Sequence, residues 1–318
     1  MSVLVTGAAG FIGAPVASLL LDRGEAVVGL DSLNDYYDPR LKQERLAGLD
    51  GRPGWTFARG DLAAEGVLDA LPDGIDRVVH LAAQAGVRYS IEAPLAYVHA
   101  NLTGHARVLE FARRRRVRHL VYASSSSVYG GNAKVPFSEE DRTDDPVSFY
   151  GATKKADELL SQSYARLYGL KLTGLRFFTV YGPAGRPDMA YFLFAEAIRA
   201  GRPIRLFNEG RMARDFTYVD DVADGVLAAL DRSDREGVPH RVYNLGGDEP
   251  QELMTMVSLL EAALGREAVK EMAPMQMGDV ERTWADIARA RGELGYAPRV
   301  SLAEGLERFA AWYRGWES

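Results

Sequence analysis

Short apolar runs alternate with longer amphipathic segments from the N-terminus to about residue 125, and nothing else narrows the possible folds of this chain as much. Val3–Val5, Ala26–Asp31, Trp55–Arg59, Arg77–Ala82 and His119–Ser124 read as strands. Phe11–Arg23, Glu65–Leu71 and Pro94–Arg116 read as the helices between them. Strands this uniformly apolar have no wet face, so they belong in a parallel sheet covered on both sides. Gly151–Tyr168 is a further helix and Lys171–Phe178 a further strand. Beyond residue 179 the punctuation changes. A Gly/Pro loop at Gly182–Pro187 precedes a short helix (Met189–Ala200), short strands (Ile204–Phe207 and Phe216–Val219) and a helix (Asp220–Leu230). Arg241–Leu245 is apolar enough to rejoin the sheet, and helices after Pro250 and Ser301 finish the chain. The expected fold is α/β: a Rossmann-type doubly wound parallel sheet from residues 1–178 plus about 219–247. A smaller, discontinuous C-terminal domain takes about 179–218 plus 248–318. A ligand would then lie over the carboxyl ends of the strands, between the two.

Composition removes several classes of function. A formal charge of −6 gives no general affinity for nucleic acid or an anionic membrane. The absence of cysteine excludes disulfides, thiolate nucleophiles and Cys-based zinc sites, and it suits a reducing cytosol. No uncharged apolar run approaches the roughly 20 residues of a membrane span, and Met1–Val5 enters a strand with no basic segment or cleavage site. The expectation is a cytoplasmic protein. His80, His99, His105, His119 and His240 show no metal-ligand spacing, so no metal is expected. Arg113–Arg116 and Arg118 close a predicted helix, where cations complement the helix dipole.

Two short motifs carry chemistry. Gly7-Ala8-Ala9-Gly10-Phe11-Ile12-Gly13 directly follows the first strand and opens the first helix. Glycines so placed permit a tight turn, let backbone approach a pyrophosphate and allow close helix–strand packing, with the anion on free helix N–H groups. Asp31 ends the second strand 18 residues after Gly13, where a carboxylate binds adenosine ribose hydroxyls and repels a 2′-phosphate. That favours NAD over NADP. The competing reading is a helix-cap carboxylate and ordinary turn glycines. Gly60-Asp61-Leu62 and Leu81-Ala82-Ala83 follow the third and fourth strands, where loops flank adenine and its ribose; each is equally consistent with a turn.

The second motif is Tyr150-Gly151-Ala152-Thr153-Lys154, a phenol and an ammonium one helical turn apart. An ammonium beside a phenol favours the phenolate, which suits Tyr150 to accept a proton. The chain has 32 Arg and only six Lys, yet it places a Lys here. A compact ammonium can serve a phenolate and a ribose together, where a planar guanidinium fits less well. Ser124-Ser125-Ser126-Ser127 ends the fifth strand and points hydroxyls into the expected crevice. The plain alternatives are an exposed helix pair and a flexible serine loop.

Taken together, Thr6–Gly13, Ser124–Gly130 and Tyr150–Lys154 resemble the extended short-chain dehydrogenase/reductase superfamily. More narrowly, the chain resembles the UDP-glucuronate 4-epimerases. The specific segments are Leu33–Asp38, Ala82–Ser90, Leu175–Gly182, Gly185–Ala190 and Arg214–Tyr218, and the likeness runs from about residue 3 to residue 296. It implies reversible conversion of UDP-glucuronate to UDP-galacturonate through a 4-keto sugar, with NAD as transient hydride acceptor. Tyr150 would take the proton of the sugar 4-hydroxyl, and Lys154 would hold the nicotinamide ribose. Ser125 matches the active-site hydroxyl, and Ser127 sits one step nearer the sugar carboxylate. Cofactor contacts are implied for Gly7, Gly10, Phe11, Ile12, Gly13, Asp31, Asn34, Asp61, Leu62, Leu81, Ala82, Ala83, Asn101 and Phe177, along with Tyr150 and Lys154. Substrate contacts are implied for Arg88, Thr179, Arg186, Phe207 (through its backbone), Arg214, Asp279 and Arg282. The last would replace an Arg that galactose epimerases carry where this chain has Gln276. A homodimer through the helices around 94–116 and 151–168 is also implied.

Three relatives compete. Dehydratases and decarboxylases carry Asp-Glu or Glu where this chain has Ser126-Ser127, an acid needed to handle a proton at C5. Its absence argues against both. UDP-glucose/galactose 4-epimerases act on a sugar with CH₂OH at C6. Thr179 and Arg186 lie where a C6 carboxylate needs donors, and Arg binds one through a planar fork; structurally, Arg186 could instead anchor its loop. A non-catalytic NAD sensor on the same fold is the remaining class, because a fold alone proves no activity.

Overall fold

The computed structural model describes residues 1–232, 239–276 and 278–316. Seven strands form one all-parallel sheet: β1 (Ser2–Thr6), β2 (Ala26–Asp31), β3 (Trp55–Arg59), β4 (Ile75–His80), β5 (His119–Ser125), β6 (Leu172–Phe177) and β10 (His240–Leu245). Their spatial order is β10-β6-β5-β4-β1-β2-β3, so the winding reverses between β1 and β4. Val5 pairs with Gly29 on one side and with Val79 on the other. Successive side chains enter cores on opposite faces. Val3, Val5, Val27, Val79 and Val121 pack into one, while Leu4, Val28, Val78 and Leu120 pack into the other. That two-sided burial is why these strands read as continuous apolar runs.

Between β6 and β10 lie β7 (Thr179–Tyr181), β8 (Ile204–Phe207) and β9 (Ala213–Tyr218), and after β10 come β11 (Pro250–Glu252) and β12 (Lys270–Ala273). A three-stranded sheet, β11-β9-β7, and a parallel pair, β12-β8, cap the carboxyl edge of the main sheet. Helices Leu253–Leu264 and Leu302–Trp316 pack behind them.

The structure departs from the sequence reading at several places, four of them in the first half of the chain's sheet domain and its crossovers. Glu65–Leu71 is a series of turns, not a helix. Leu68 and Leu71 are buried at helical spacing, but Gly66 takes φ +79°, which no α-helix tolerates. The helix predicted over Pro94–Arg116 is interrupted: Pro94–Tyr97 passes through a π-helical stretch, Val98–Thr103, into Gly104–Arg114. The wide turn carries Asn101, whose amide is bonded away from its own helix. The strand predicted over Arg77–Ala82 stops at His80, and Leu81 N–H bonds Thr6 C=O as the chain passes under the glycine turn. A helix at Pro39–Ala47 is additional. Asp38 caps it by accepting from Arg40 N–H at 2.9 Å, with Pro39 at its first position.

Candidate active site

A single cleft over the carboxyl ends of β1, β2, β4, β5 and β6 collects most of the residues singled out in the sequence. At its nucleotide end, β1 stops at Thr6 and the chain turns at Gly7 with φ +70°. A Cβ on Gly7 would come within 2.7 Å of Ala82 N, and one on Gly13 would overlap the Gly7 carbonyl oxygen. Only glycine lets β1, the turn and the 81–83 loop approach so closely. Helix Gly13–Asp22 then starts with no side-chain cap and no acid in its first turn, so its positive dipole end meets the cleft unopposed by a carboxylate. Gly7, Gly10, Phe11, Ile12, Gly13, Leu81, Ala82 and Ala83 all border the cleft.

Asp31 is held by two backbone donors, Ala9 N–H at 3.1 Å and Leu33 N–H at 2.9 Å. It therefore ties down loops and still borders the cleft. Asn34 borders it too, and its side-chain and backbone oxygens accept from Lys42 Nζ at 2.6 and 2.7 Å. Asp61 lies beside Leu62, accepting from Ala63 N–H at 2.9 Å and standing 2.8 Å from His99 Nε2. Burial would raise its pKa, but His99 and the Ala63 N–H outweigh it and hold it below the ordinary value. Phe177 closes the floor. Asn101 does not border the cleft. It is buried and braces the 84–85 backbone to the next helix, bonding Gln84 N, Gln84 O and Thr153 Oγ1 at 2.8, 3.1 and 3.0 Å.

The chemical end is built where β5 meets helix Phe149–Tyr168. Ser125 closes β5, accepting from Ser127 N–H at 3.1 Å to start a 3₁₀ turn, and the Ser125 and Ser127 hydroxyls lie 3.2 Å apart. Ser148 caps the helix through Gly151 N–H at 3.0 Å. A Cβ on Gly151 would reach 2.5 Å from Ser127 O, so that glycine lets the helix start against the serine turn. Tyr150 and the two serines therefore share one wall of the cleft. Ser90 Oγ accepts from Tyr150 N–H at 3.2 Å, and the Tyr97 ring meets the Tyr150 ring edge-on at 6.0 Å. Lys154 follows one turn later, buried, its Nζ donating to Asp157 Oδ2 at 2.8 Å. Burial works against its charge, but Asp157 and Tyr150 override it, and the Lys154 pKa is raised. Ser124 is turned away from this chemistry and donates to buried Glu158 at 2.7 Å; Glu158 is bidentate with Arg176 at 2.8 and 2.9 Å.

At the far end the structure joins segments that are distant in sequence. Thr179 opens β7, and Arg186 lies on the loop beyond it; both border the cleft. Arg186 Nε and Nη2 reach Asp188 at 3.0 and 2.6 Å, and Tyr36 OH donates to the same carboxylate at 3.2 Å. Burial would push Asp188 up, but Arg186 holds it below the ordinary carboxylate value. Arg45, on the helix absent from the sequence reading, is a buried staple. It donates to Ala9 O and Tyr37 OH at 3.1 and 2.7 Å, and to Ala184 O and Gly185 O at 2.6 and 3.0 Å. Arg214 and Asp279 border the cleft. Arg214 is lowered by burial, with Asp279 opposing. Arg88 stands at the rim, 3.5 Å from Asp279 and 4.9 Å above the Phe207 ring. Arg282 stands apart, paired with Glu252 at 3.1 Å on an exposed surface. Gln276 Oε1 is buried without a partner. Among the described residues, no group of three potential metal ligands occurs.

Four side chains that serve the site escaped the sequence reading: Tyr36, Lys42, Arg45 and Asp188. Tyr36 and Asp188 lie inside segments that carried the family resemblance, but which side chains they face depends on the fold. Lys42 and Arg45 were hidden by the polarity of their helix.

Residues 3–246 match the NAD dependent epimerase/dehydratase family. A probable UDP-glucuronate 4-epimerase of Rhizobium meliloti is 47% identical over 98% of this chain and 97% of its own. UDP-glucuronate 4-epimerase 3 of Arabidopsis thaliana is 49% identical over 99% of this chain and 77% of its own. Among solved structures, UDP-glucuronic acid 4-epimerase from Bacillus cereus, in complex with UDP-glucuronic acid and NAD, superposes with a TM-score of 0.93 at 35% identity. That match covers 99% of this chain and all of the other. With its glycine turn, its Tyr150–Lys154 helix and its seven-stranded parallel sheet, this chain belongs to the NAD dependent epimerase/dehydratase family.

Proposed function

We propose that the protein is a UDP-glucuronate 4-epimerase that interconverts UDP-glucuronate and UDP-galacturonate through a 4-keto sugar. The observation that carries the reading is the shared cleft. Tyr150, Lys154, Ser125 and Ser127 stand between a glycine turn fit for a dinucleotide and a guanidinium, Arg186, fit for a sugar carboxylate. The glycine cradle, Asp31 and the uncapped helix start suit NAD, and Gly7, Gly10, Gly13, Asp31 and Asp61 would hold it. Bound NAD⁺ supplies a reversible two-electron acceptor, so the net reaction is an isomerisation. Tyr150 takes the proton of the sugar 4-hydroxyl and later returns it, while Ser125 holds that oxygen by a hydrogen bond. Lys154 keeps positive charge beside the phenol.

Oxidation at C4 makes glucuronate a β-keto acid, which loses CO₂ when the scissile bond stands perpendicular to the carbonyl plane. Ser127, Thr179 and Arg186 hold the carboxylate near that plane while the ring turns. The protein also places no carboxylic acid at Ser126-Ser127, as handling a proton at C5 would need. Arg214 takes the pyrophosphate, Asp279 the uridine ribose and the Phe207 backbone the uracil; Arg88, expected at the sugar or phosphate, lies by Asp279 and the Phe207 ring.

The sheet domain is assigned to 1–178 plus about 219–247, and the substrate domain to about 179–218 plus 248–318; residues 233–238, 277 and 317–318 of these ranges lie outside the described residues. Leu95, Leu159, Leu167 and Tyr168 are exposed on the helices expected to pair, which supports a homodimer. No described helix is long and apolar enough to cross a membrane. We assign the protein to the cytoplasm and to supplying sugars for polysaccharide synthesis. One observation favours a second reading, a neutral-sugar UDP-glucose/galactose 4-epimerase: the Arg186 fork is already filled by Asp188.

Proton NMR of UDP-glucuronate with the protein and catalytic NAD⁺ separates these. UDP-galacturonate rising to a fixed ratio without net NADH is the expected result. A pentose product with CO₂ would replace the reading by a decarboxylase. Turnover of UDP-glucose alone would replace it by the neutral-sugar epimerase.

A further inference from the structure

Helix Phe149–Tyr168 carries two buried carboxylates that the chemistry above does not use: Glu158, committed to Ser124 and Arg176, and Asp157. Asp157 sits three residues beyond Lys154 and accepts from its Nζ at 2.8 Å, with the two side chains 1% and 3% exposed. The other oxygen, Oδ1, is buried with no hydrogen-bond partner. Stability alone does not account for this arrangement. A buried ion pair is commonly replaceable by apolar groups at no loss, and a buried acceptor left unbonded is a penalty.

The surroundings show what the pair does. From the flanking elements, His105 (helix Gly104–Arg114), His80 (β4) and Tyr122 (β5) face it. The two imidazoles stack at 5.3 Å, and burial, aided by the Lys154 charge, keeps both neutral. On its own helix, Glu158 is committed to Arg176 of β6. The Lys154 counter-charge therefore comes first from Asp157 and, on the cleft side, from whatever charge Tyr150 carries, with a smaller share from Glu158.

We propose that Asp157 is a positioning residue that keeps Lys154 an ammonium, aimed between Tyr150 and the cofactor ribose. The proposal rests on the reading of Tyr150 as the proton acceptor. Without a carboxylate, burial drives a lysine to its neutral amine, and a neutral amine gives a phenolate no support. Burial pushes the Asp157 carboxyl up, with Glu158 adding to it, against the pull of Lys154.

Only six lysines occur in the chain, so a ¹⁵Nζ-lysine NMR spectrum of the NAD-loaded protein resolves Lys154, assigned by its loss in Lys154→Arg. In the wild type, Nζ should remain an ammonium from about pH 6.5 to 9. In Asp157→Asn it should titrate within that window, with at least about tenfold more amine at neutral pH. The acid limb of kcat/KM should then move up by about one pH unit and kcat fall about 10- to 100-fold, with KM changed less than about threefold. Asp157→Glu, which keeps the charge, should restore the limb. An Asp157→Asn protein whose Lys154 stays an ammonium, or whose acid limb does not move, overturns the proposal. If that variant does not fold, the wild type decides. A wild-type Lys154 Nζ that titrates to the neutral amine between about pH 6.5 and 9 overturns the proposal. Loss of turnover on every UDP-sugar with the Nζ response intact would sink the epimerase reading and leave this one standing.

Discussion

Arg186→Ala tests the carboxylate argument most directly. Arg186 and Asp188 are about a quarter exposed, 24% and 27%, so their pairing is only partly screened by water. Both guanidinium contacts to Asp188 are short, and Tyr36 holds the same carboxylate. The fork is therefore oriented before substrate arrives. Truncating one partner of a hydrogen-bonded, desolvated charge pair costs about 2–5 kcal/mol. About 3 kcal/mol corresponds to roughly 150-fold in kcat/KM. Leaving Asp188 without its cation is a separate cost to folding stability, and Arg186→Ala/Asp188→Ala removes that cost. The double variant should recover some stability but none of the preference for UDP-glucuronate over UDP-glucose. Because the freed carboxylate can leave the plane of the C4 ketone, the single variant should also release CO₂ and a 4-keto-pentose. Discontinuous NMR of the nucleotide sugars, with a trap for CO₂, reads both effects. Unchanged kcat/KM with clean UDP-galacturonate would refute the role of Arg186.

Three further outcomes follow from the geometry. Gly13→Ala places a methyl on the Gly7 carbonyl oxygen, backbone on both sides. It should destabilise by about 2–4 kcal/mol in urea unfolding and abolish copurifying NAD. Glu158→Gln leaves the buried Arg176 guanidinium with a neutral partner and should cost about 3–5 kcal/mol. Burial alone would raise Glu158, but Arg176 and Ser124 hold it below its ordinary value of 4.5. A depressed carboxyl contributes stability that is present above the ordinary value and lost as pH falls through the folded one. Acid titration should therefore weaken the wild type below about pH 4.5 and the Gln variant much less. Asp31→Asn removes the charge facing the adenosine ribose, keeps one acceptor for the loops, and should raise NADP affinity relative to NAD about tenfold by thermal shift.

The parallel sheet was legible because two-sided burial leaves an unmistakable apolar run, and the strand ends fell within two residues of those expected. Glycine motifs were legible for a related reason: close backbone approach admits no other residue. What was lost turned on residues whose partners are remote in sequence. The polarity of Pro39–Ala47 suggested a loop, although the Asp38-Pro39 start signal was present. Four of its nine residues are buried, including Lys42 and Arg45, because their charges are spent on backbone and side-chain oxygens of other segments. Glu65–Leu71 carried helical spacing, and a left-handed glycine broke it. Asn101 was expected against the cofactor, yet an amide reading like a ligand contact braces the loop that lines the cleft. Arg282 was expected near a phosphate and points instead to Glu252. Asp188 could not be read as the partner of Arg186, because a spacing of two residues says nothing until the loop conformation is known.

An epimerase of this kind must hold its substrate rigidly at both ends while the ring between them turns over, and the protein meets that demand with anchors from opposite halves of the chain. The proposed proton acceptor, Tyr150, stands on a helix locked to the sheet by Glu158–Arg176 and seated against the serine turn by Gly151. The proposed carboxylate anchor, Arg186, stands on a loop that belongs to neither the sheet nor the capping strands. Arg45 resolves the mismatch. Its guanidinium takes carbonyl oxygens from the glycine turn and from the 184–185 loop together, so the segments proposed to receive the cofactor and the carboxylate are registered against one another. Tyr36, from the same stretch after β2, reaches the Arg186–Asp188 pair directly. The segment after β2 therefore does two jobs: Asp31 and Asn34 border the cleft where the proposed nucleotide lies, while Tyr36 and Arg45 set the position of Arg186. Specificity for an acidic sugar then depends on residues remote in sequence from the loop that recognises it, and grafting Thr179 and Arg186 alone onto a neutral-sugar enzyme lacks the scaffold that orients them.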